Sequence, residues 1–480
     1  MEAEANPKST KSVAKISFEQ LDQSFRDRMP SVTKEGKRNW IHAWQPHGKW
    51  YKMRSVLSVF YVLLFFSLPF IRIKGNPALQ INVVEGKFSI LGMIFWPQDF
   101  IIFGVGMVTF VVFIYLFTMI YGRVFCGWAC PQTIFMEMIF RRIEWWIEGN
   151  PNEQKKLKAQ PWNAEKAVKK IGKHVAFFAL SFVIANTFLS YIIGTDALFQ
   201  IISEPVSQHF GGFVALLFFT LAFYAVYAFA REIVCTVWCP YGRLQGVILD
   251  KNTVVVAYDY NRGEPRVKGK RTEGSAAGDC IDCKQCVAVC PTGIDIRNGT
   301  QLECVNCTAC IDACNSVMDK VGLDRGLIRF ASETQIAEKK PFRFTGRMKG
   351  YSAALLLLVS GLVVLLATRN DVDVTILRAR GQLFQEVGAD SLSNLYHMNM
   401  VNKTHQQITV ELRVEEVPGR INLVGGHQLV TPAEGQAETT FFVVLPKTAI
   451  KRRDSDVKLG IYQNGKRIRT VKTSFLGYVE

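Results

Sequence analysis

The chain has 480 residues, 49 % of them hydrophobic, and carries 57 Lys+Arg against 41 Asp+Glu for a formal net charge of +16. That length allows about three domains, its apolar content excludes global disorder, and 12 cysteines are too sparse for a secreted disulfide scaffold. The positive charge alternates with long uncharged runs instead of gathering in one patch, which points away from nucleic acid and toward a membrane protein.

A basic, mostly polar segment, 1–54, opens the chain with 11 Lys+Arg. It is too long and too polar for a cleavable signal peptide and reads as a lipid-facing cytoplasmic tail. Five charge-free runs follow, 55–71, 101–120, 175–193, 210–230 and 351–368. Each meets the roughly 17–25 residues needed to cross a bilayer as a helix. The first is the shortest and contains Pro69. The connections differ in charge: 122–174 carries 10 Lys+Arg, whereas 72–99 carries 3 and 194–209 none. The positive-inside rule therefore puts the N-terminus, 122–174 and 231–350 in the cytoplasm. Five spans put the tail 369–480 on the opposite side, the periplasm if the host is a bacterium.

A short repeat marks the first two helical hairpins. Each ends in Cys-x-x-x-Cys-Pro: Cys126 and Cys130 before Pro131, then Cys235 and Cys239 before Pro240. A Trp lies between the cysteines of each copy, a residue that favours the membrane–water boundary. A spacing of four puts both thiols of a pair on one helix face, if the helix runs on to the proline. Two hairpins side by side then bring four thiols into one plane at the cytoplasmic face. Such a site favours Cu(I), and also suits zinc or a further iron–sulfur cluster; the bland alternative is a set of small buried residues.

Residues 251–350 are polar and hold the other eight cysteines, Cys280, Cys283, Cys286 and Cys290 before Pro291, then Cys304, Cys307, Cys310 and Cys314. Three thiolates in C-x2-C-x2-C spacing wrap one iron–sulfur cube, and the fourth cysteine of each run reaches the other cube. This predicts one [4Fe–4S] cluster on Cys280, Cys283, Cys286 and Cys314, and a second on Cys304, Cys307, Cys310 and Cys290. Zinc needs four ligands per site and has no use for the third step. Asn315 stands where the second run would ordinarily carry proline, which shapes the turn and supplies no ligand.

Residues 369–480 contain no cysteine and read as strands. Ile408, Val410, Leu412 and Val414 alternate with polar residues, and Asn464-Gly465 is a two-residue hairpin signal. An antiparallel, immunoglobulin-like β-sandwich is expected. His397, Met398, Met400 and His405 fall close together there and could touch copper, though such a group more often marks the alternating faces of a strand.

The resulting plan is a tail (1–54), a four-helix membrane core (55–250), a ferredoxin-like module with two clusters (251–350), a fifth transmembrane helix (351–368) and a periplasmic β-sandwich (369–480). Twin Cys-x-x-x-Cys-Pro hairpins, the eight-cysteine loop, a fifth span and the β domain, in that order, resemble the CcoG (FixG/RdxA) family of bacterial cytochrome c oxidase accessory proteins. The resemblance covers nearly the whole chain from about Trp40 onward. It implies an inner-membrane protein that reduces Cu(II) to Cu(I) for assembly of cbb3-type oxidase, with Cys126, Cys130, Cys235 and Cys239 handling the copper. The partners it implies are the lipid bilayer, copper, a cytoplasmic electron donor, and oxidase assembly factors or copper chaperones. A homodimer is allowed, and nucleic acid is not expected. Two other readings stay open: a NapH-like membrane ferredoxin that oxidises quinol, and a non-enzymatic assembly scaffold.

Overall fold

The computed structural model describes residues 30–478 apart from positions 34, 36, 83–85, 270–276, 380, 382, 389, 426–428 and 451. Most of the predicted N-terminal tail lies outside the described residues. The chain forms two compact units: one gathers the residues up to Ser67 with Thr109–Leu189 and Leu198–Leu356, the other Leu68–Val108, Ser190–Ala197 and the residues from Leu357 on.

Long helices follow the apolar runs. The first, α1 (Lys49–Ser67), ends in a turn ahead of Pro69, so the predicted run 55–71 is not helical throughout. Proline removes a helical donor and pushes the preceding residue toward extended backbone, which stops the helix there. Among the described residues four helices are long and apolar enough to cross a membrane: α2 (Phe100–Tyr121), α3 (Ala164–Ile193), α4 (Phe210–Ala230) and α5 (Gly346–Ala367). The expected five spans thus become four full-length ones and the shorter α1, whose first turns carry Lys49, Lys52 and Arg54. Leu356, Leu357, Val363 and Val364 of α5 are exposed, as lipid-facing side chains must be.

In the first unit the eight-cysteine segment folds around an antiparallel pair of strands, Val255–Tyr258 and Ile328–Ala331, with helices Gln285–Ala288 and Ala309–Val321 carrying cysteines. Its core joins Val256, Ile294, Ile311, Met318 and Leu327 to the buried thiols of Cys280, Cys286 and Cys314. Three π-helical segments, Phe135–Phe140, Val226–Ala230 and Val234–Trp238, lie beside or within the Cys-x-x-x-Cys motifs. Such π-turns concentrate at functional sites, because the extra residue re-aims the side chains that follow.

The second unit holds the antiparallel sandwich. One sheet orders Arg420–Leu423, Gln436–Pro446, Ser391–Asn402 and Val372–Arg378, with Gln385–Val387 also paired to Ser391–Asn402; the other orders Leu429–Thr431, Ile408–Glu415, Asp454–Gln463 and Lys466–Leu476. Ile408 and Val410 point into the core, as their alternation predicts, and Leu412 and Val414 pack at its edge. Asn464 and Gly465 form the hairpin tip with φ of 48° and 77°, the left-handed backbone that such a turn requires.

Candidate metal centre

The two cysteine loops share one backbone device. In the first run φ is positive at Asp282 and Lys284, the residues flanking the middle cysteine Cys283; in the second it is positive at Asn306 and Thr308, flanking Cys307. Side chains disfavour this region, a β-branched Thr most of all, so its recurrence at matching positions marks an imposed geometry. Successive turns of this kind direct backbone N–H groups into a concavity that suits an anionic iron–sulfur core.

The neighbours of each thiol cross between the runs. Cys314 lies in the electrostatic reach of Cys280 and Cys283, and Cys286 in that of Cys314 and Cys283. Cys290 in turn acts on Cys304, Cys307 and Cys310. A cavity is lined by Cys286, Cys290, Cys304, Cys307 and Cys310. Burial pushes Cys286, Cys304 and Cys314 up to about 12 and Cys307 to about 11. Without bound metal these groups are thiols, and a cationic centre is needed to hold them as thiolates. Among the described residues no three His, Cys, Asp or Glu side chains close around a single ion. Cys314 beside the first run and Cys290 beside the second is the crossed pattern that two iron–sulfur cubes require.

The membrane-face motifs are built twice on one plan, but not as continuous helices. Cys126 is buried in the short helix Val124–Trp128, which ends before Cys130; Cys130 is extended and caps the helix starting at Pro131. Cys235 sits in the π-turn Val234–Trp238, and Cys239 is extended and caps Pro240–Ile248, its Sγ accepting from the Gly242 N–H at 3.4 Å. Each proline takes the first helical position, where no donor is needed, so the chain turns at the second cysteine of each pair. The thiols come together regardless. Cys126 Sγ donates to Gln245 Oε1 at 3.2 Å, Thr133 Oγ1 lies 3.9 Å from Cys235 Sγ, and Cys126 and Cys130 are electrostatic neighbours of each other and of both Cys235 and Cys239. Burial raises Cys126 and Cys130 and pushes Cys235 up to about 12.

The first motif presses directly on the second cysteine run. A methyl group added at Gly127 would stand 2.3 Å from Val305 O and 3.0 Å from the Cys307 nitrogen, so only glycine allows this approach. Trp128 Nε1 donates to Asn306 O at 3.2 Å, and Arg54 Nε donates to Gly127 O at 2.7 Å. Arg123 joins both motifs: Nε donates to Gln245 at 3.0 Å, Nη2 to Cys235 O at 3.3 Å, and Nη1 to Leu302 O.

Comparison with known proteins covers nearly all of this architecture. Residues 103–151 match a 4Fe-4S binding domain, 230–333 a 4Fe-4S dicluster domain, and 362–478 an Ig-like fold at the C-terminus of FixG. The chain is 30 % identical to the nitrogen fixation protein FixG of Rhizobium meliloti, over 88 % of this chain and 87 % of that one. It is 31 % identical to protein RdxB of Cereibacter sphaeroides (86 % and 90 % covered) and 32 % identical to RdxA of the same organism (81 % and 84 %). The chain belongs to the FixG/RdxA family. With its apolar helices and 4Fe–4S domains it is a membrane iron–sulfur electron-transfer protein.

Several residues of this FixG/RdxA chain escape a reading by cysteine spacing. Arg54, Arg123 and Asn306 are almost fully buried; the two arginines lie outside the cysteine motifs, and Asn306 lies inside the second run at a position its spacing leaves unassigned. One signal was available: Arg123 and Glu232 both stand three residues before the first cysteine of a pair, and both are buried charges. Trp128 turns out to bond the cluster loop, whereas its counterpart Trp238 is exposed. On the β domain Met398 and Met400 are core residues, His397 lies on the exposed face beside Thr440, and His405 pairs with Glu434. The strand alternation puts Met398 and Met400 on the core face and His397 on the opposite one, and His405 lies beyond the strand end.

Proposed function

We propose that this protein passes electrons from a cytoplasmic donor to copper, reducing Cu(II) to Cu(I) at the four membrane-face thiols in support of cbb3-type oxidase assembly. Cys280, Cys283, Cys286 and Cys314 hold one [4Fe–4S] cluster, and Cys304, Cys307, Cys310 and Cys290 the other. Bound there, the clusters supply electrons one at a time at low potential. The observation that carries the reading is the seam at Gly127, where the backbone between Cys126 and Cys130 packs against Cys307 with no side chain between. Cys126, Cys130, Cys235 and Cys239 offer soft sulfur ligands, which favour Cu(I) over Cu(II). Each Cu(II) needs one electron, which clusters held by the cysteine loops would supply. The N-terminus and cysteine loops lie in the cytoplasm and the sandwich in the periplasm, as supported by the basic loops.

The test is anaerobic. Protein in detergent is reduced, freed of reductant and given Cu(II), and cluster bleaching is followed together with Cu(I) trapped by a chromogenic chelator. Stoichiometric Cu(I) that is lost when Cys126, Cys130, Cys235 and Cys239 are replaced by Ser supports the reading; undiminished Cu(I) in that variant sinks it. A second reading is favoured by the match of 103–151 to a 4Fe-4S binding domain, since Cys126 and Cys130 are the only cysteines in that stretch. In it the four thiols hold a further cluster, and the iron content falls when they are replaced.

A further inference from the structure

A cavity of about 820 Å³ lies apart from the cysteines and falls in the size range of small-molecule sites. Its walls divide by chemistry. Lys158, Lys166, Lys170 and Lys173 line one part, against two acidic residues, Glu144 and Glu148. Lys166, Lys170 and Lys173 belong to the first turns of α3, directly before its uncharged run from Val175. The other part is apolar, with Val175, Phe178, Ala179 and Phe229. Val175, Phe178 and Phe229 are exposed on spanning helices, as lipid-facing side chains are. One ligand must therefore satisfy a cationic rim at the membrane interface and an apolar wall running into the bilayer.

The rim keeps donors to spare. An ammonium group carries three. Lys166 spends two on the carbonyls of Gln160 (2.6 Å) and Lys158 (3.2 Å), and neither acceptor neutralises its charge. Lys170 meets Glu148 at 2.8 Å; Lys173 meets Glu148 at 2.9 Å and Glu144 at 3.3 Å, and Arg231 already pairs with Glu144 at 2.7 Å. Both carboxylates are thus fully countered, and the remaining charge is positive. A neutral quinone head would leave this excess unanswered.

We propose that the cavity binds an anionic phospholipid, its phosphate held by Lys166 and Lys170 and an acyl chain laid along Val175, Phe178 and Phe229. Basic pockets between spanning helices recognise such headgroups by charge. The proposal is independent of what the thiols reduce.

The test is native mass spectrometry of the full-length protein released from mixed vesicles of phosphatidylglycerol and phosphatidylcholine. Phosphatidylglycerol should be retained preferentially, and K166Q/K170Q should weaken that retention by about tenfold or more, with cluster absorbance unchanged. A179W, which fills the apolar wall without touching the rim, should also lower it, and this keeps the test open should the lysine variant fail to fold. Equal retention of both lipids, or retention unaffected in both variants, overturns the proposal. So does complete displacement by inorganic phosphate, which would make the acyl wall irrelevant, or by a ubiquinone analogue, which would assign the cavity to a quinone.

Discussion

Arg54 donates from Nε to the carbonyl oxygen of Gly127 at 2.7 Å, tying the start of α1 to the loop between Cys126 and Cys130. The guanidinium is buried, its Nη2 has no hydrogen-bond partner among the described residues, and its charge acts on Cys307. A buried cation with a donor unspent stabilises the more negative, reduced state of a cluster beside it. R54Q should therefore lower the potential of the cluster on Cys304, Cys307, Cys310 and Cys290, by on the order of 50 mV, and leave the other nearly unchanged. R54K should fall between, since it keeps the charge but loses the fixed guanidinium geometry. A redox titration followed by electron paramagnetic resonance separates the two clusters; equal shifts in both would refute a local role.

Gly127 makes a steric prediction at the same seam. Its added methyl would meet backbone, Val305 O at 2.3 Å, and backbone cannot rotate away as a side chain can. G127A should cost about 1–3 kcal/mol and open the second cysteine run first. Iron per chain should fall while the cluster on Cys280, Cys283, Cys286 and Cys314 survives. Iron analysis with spectroscopy checks this, and a fully loaded G127A would show that the close approach is dispensable.

Glu144 makes a prediction about pH. Burial pulls its carboxyl up, but the guanidinium of Arg231 and the ammonium of Lys173 outweigh that and hold it at about 2, below its ordinary 4.5. A depressed folded value means stability that is present above pH 4.5 and lost as pH falls toward 2. The shift corresponds to about 3 kcal/mol. Helix melting in detergent should show E144Q strongly destabilised at neutral pH, where Arg231 loses its buried partner. The gap to the unsubstituted protein should narrow from pH 4.5 downward. A gap independent of pH would mean that packing, not charge, sets the cost.

What the sequence made legible was local. The cluster motifs are read by spacing because every ligand but the crossing fourth lies within one short run. The sandwich is read by period-two alternation, and the hairpin by Asn464-Gly465. Helix ends were partly legible: Pro131 and Pro240 at first helical positions imply a turn at Cys130 and Cys239, and Pro69 implies the early stop of α1. Arg54 was not legible. Beside Lys49 and Lys52 it resembles an interfacial charge, and only the distant Gly127 carbonyl makes it a buried one. The pairing of Glu144 with Arg231 was hidden likewise, since 87 residues separate them.

A last prediction concerns Asp99, just ahead of α2. Its carboxylate, 6 % exposed, meets Arg369 at 2.7 Å beyond the end of α5, and also meets Lys403 on the β domain. Burial raises its pKa, but the hydrogen bonds from Arg369 and Lys403 outweigh this and hold the carboxyl below the usual range. An anion at a helix start and a cation at a helix end are each favoured by the helix dipole, so Asp99 and Arg369 suit their positions before they meet. D99N strips a buried ammonium and a guanidinium of their shared partner and should cost about 3–5 kcal/mol. Lys403 keeps Asp373 at 2.5 Å, so Arg369 is the more exposed to the loss. D99N/R369M should therefore recover much of the stability, because removing both partners leaves no unpaired charge. Limited proteolysis of the β domain reads the outcome: D99N cut faster and the double variant slower than D99N. If the two are cut alike, Asp99 is not the group that holds Arg369.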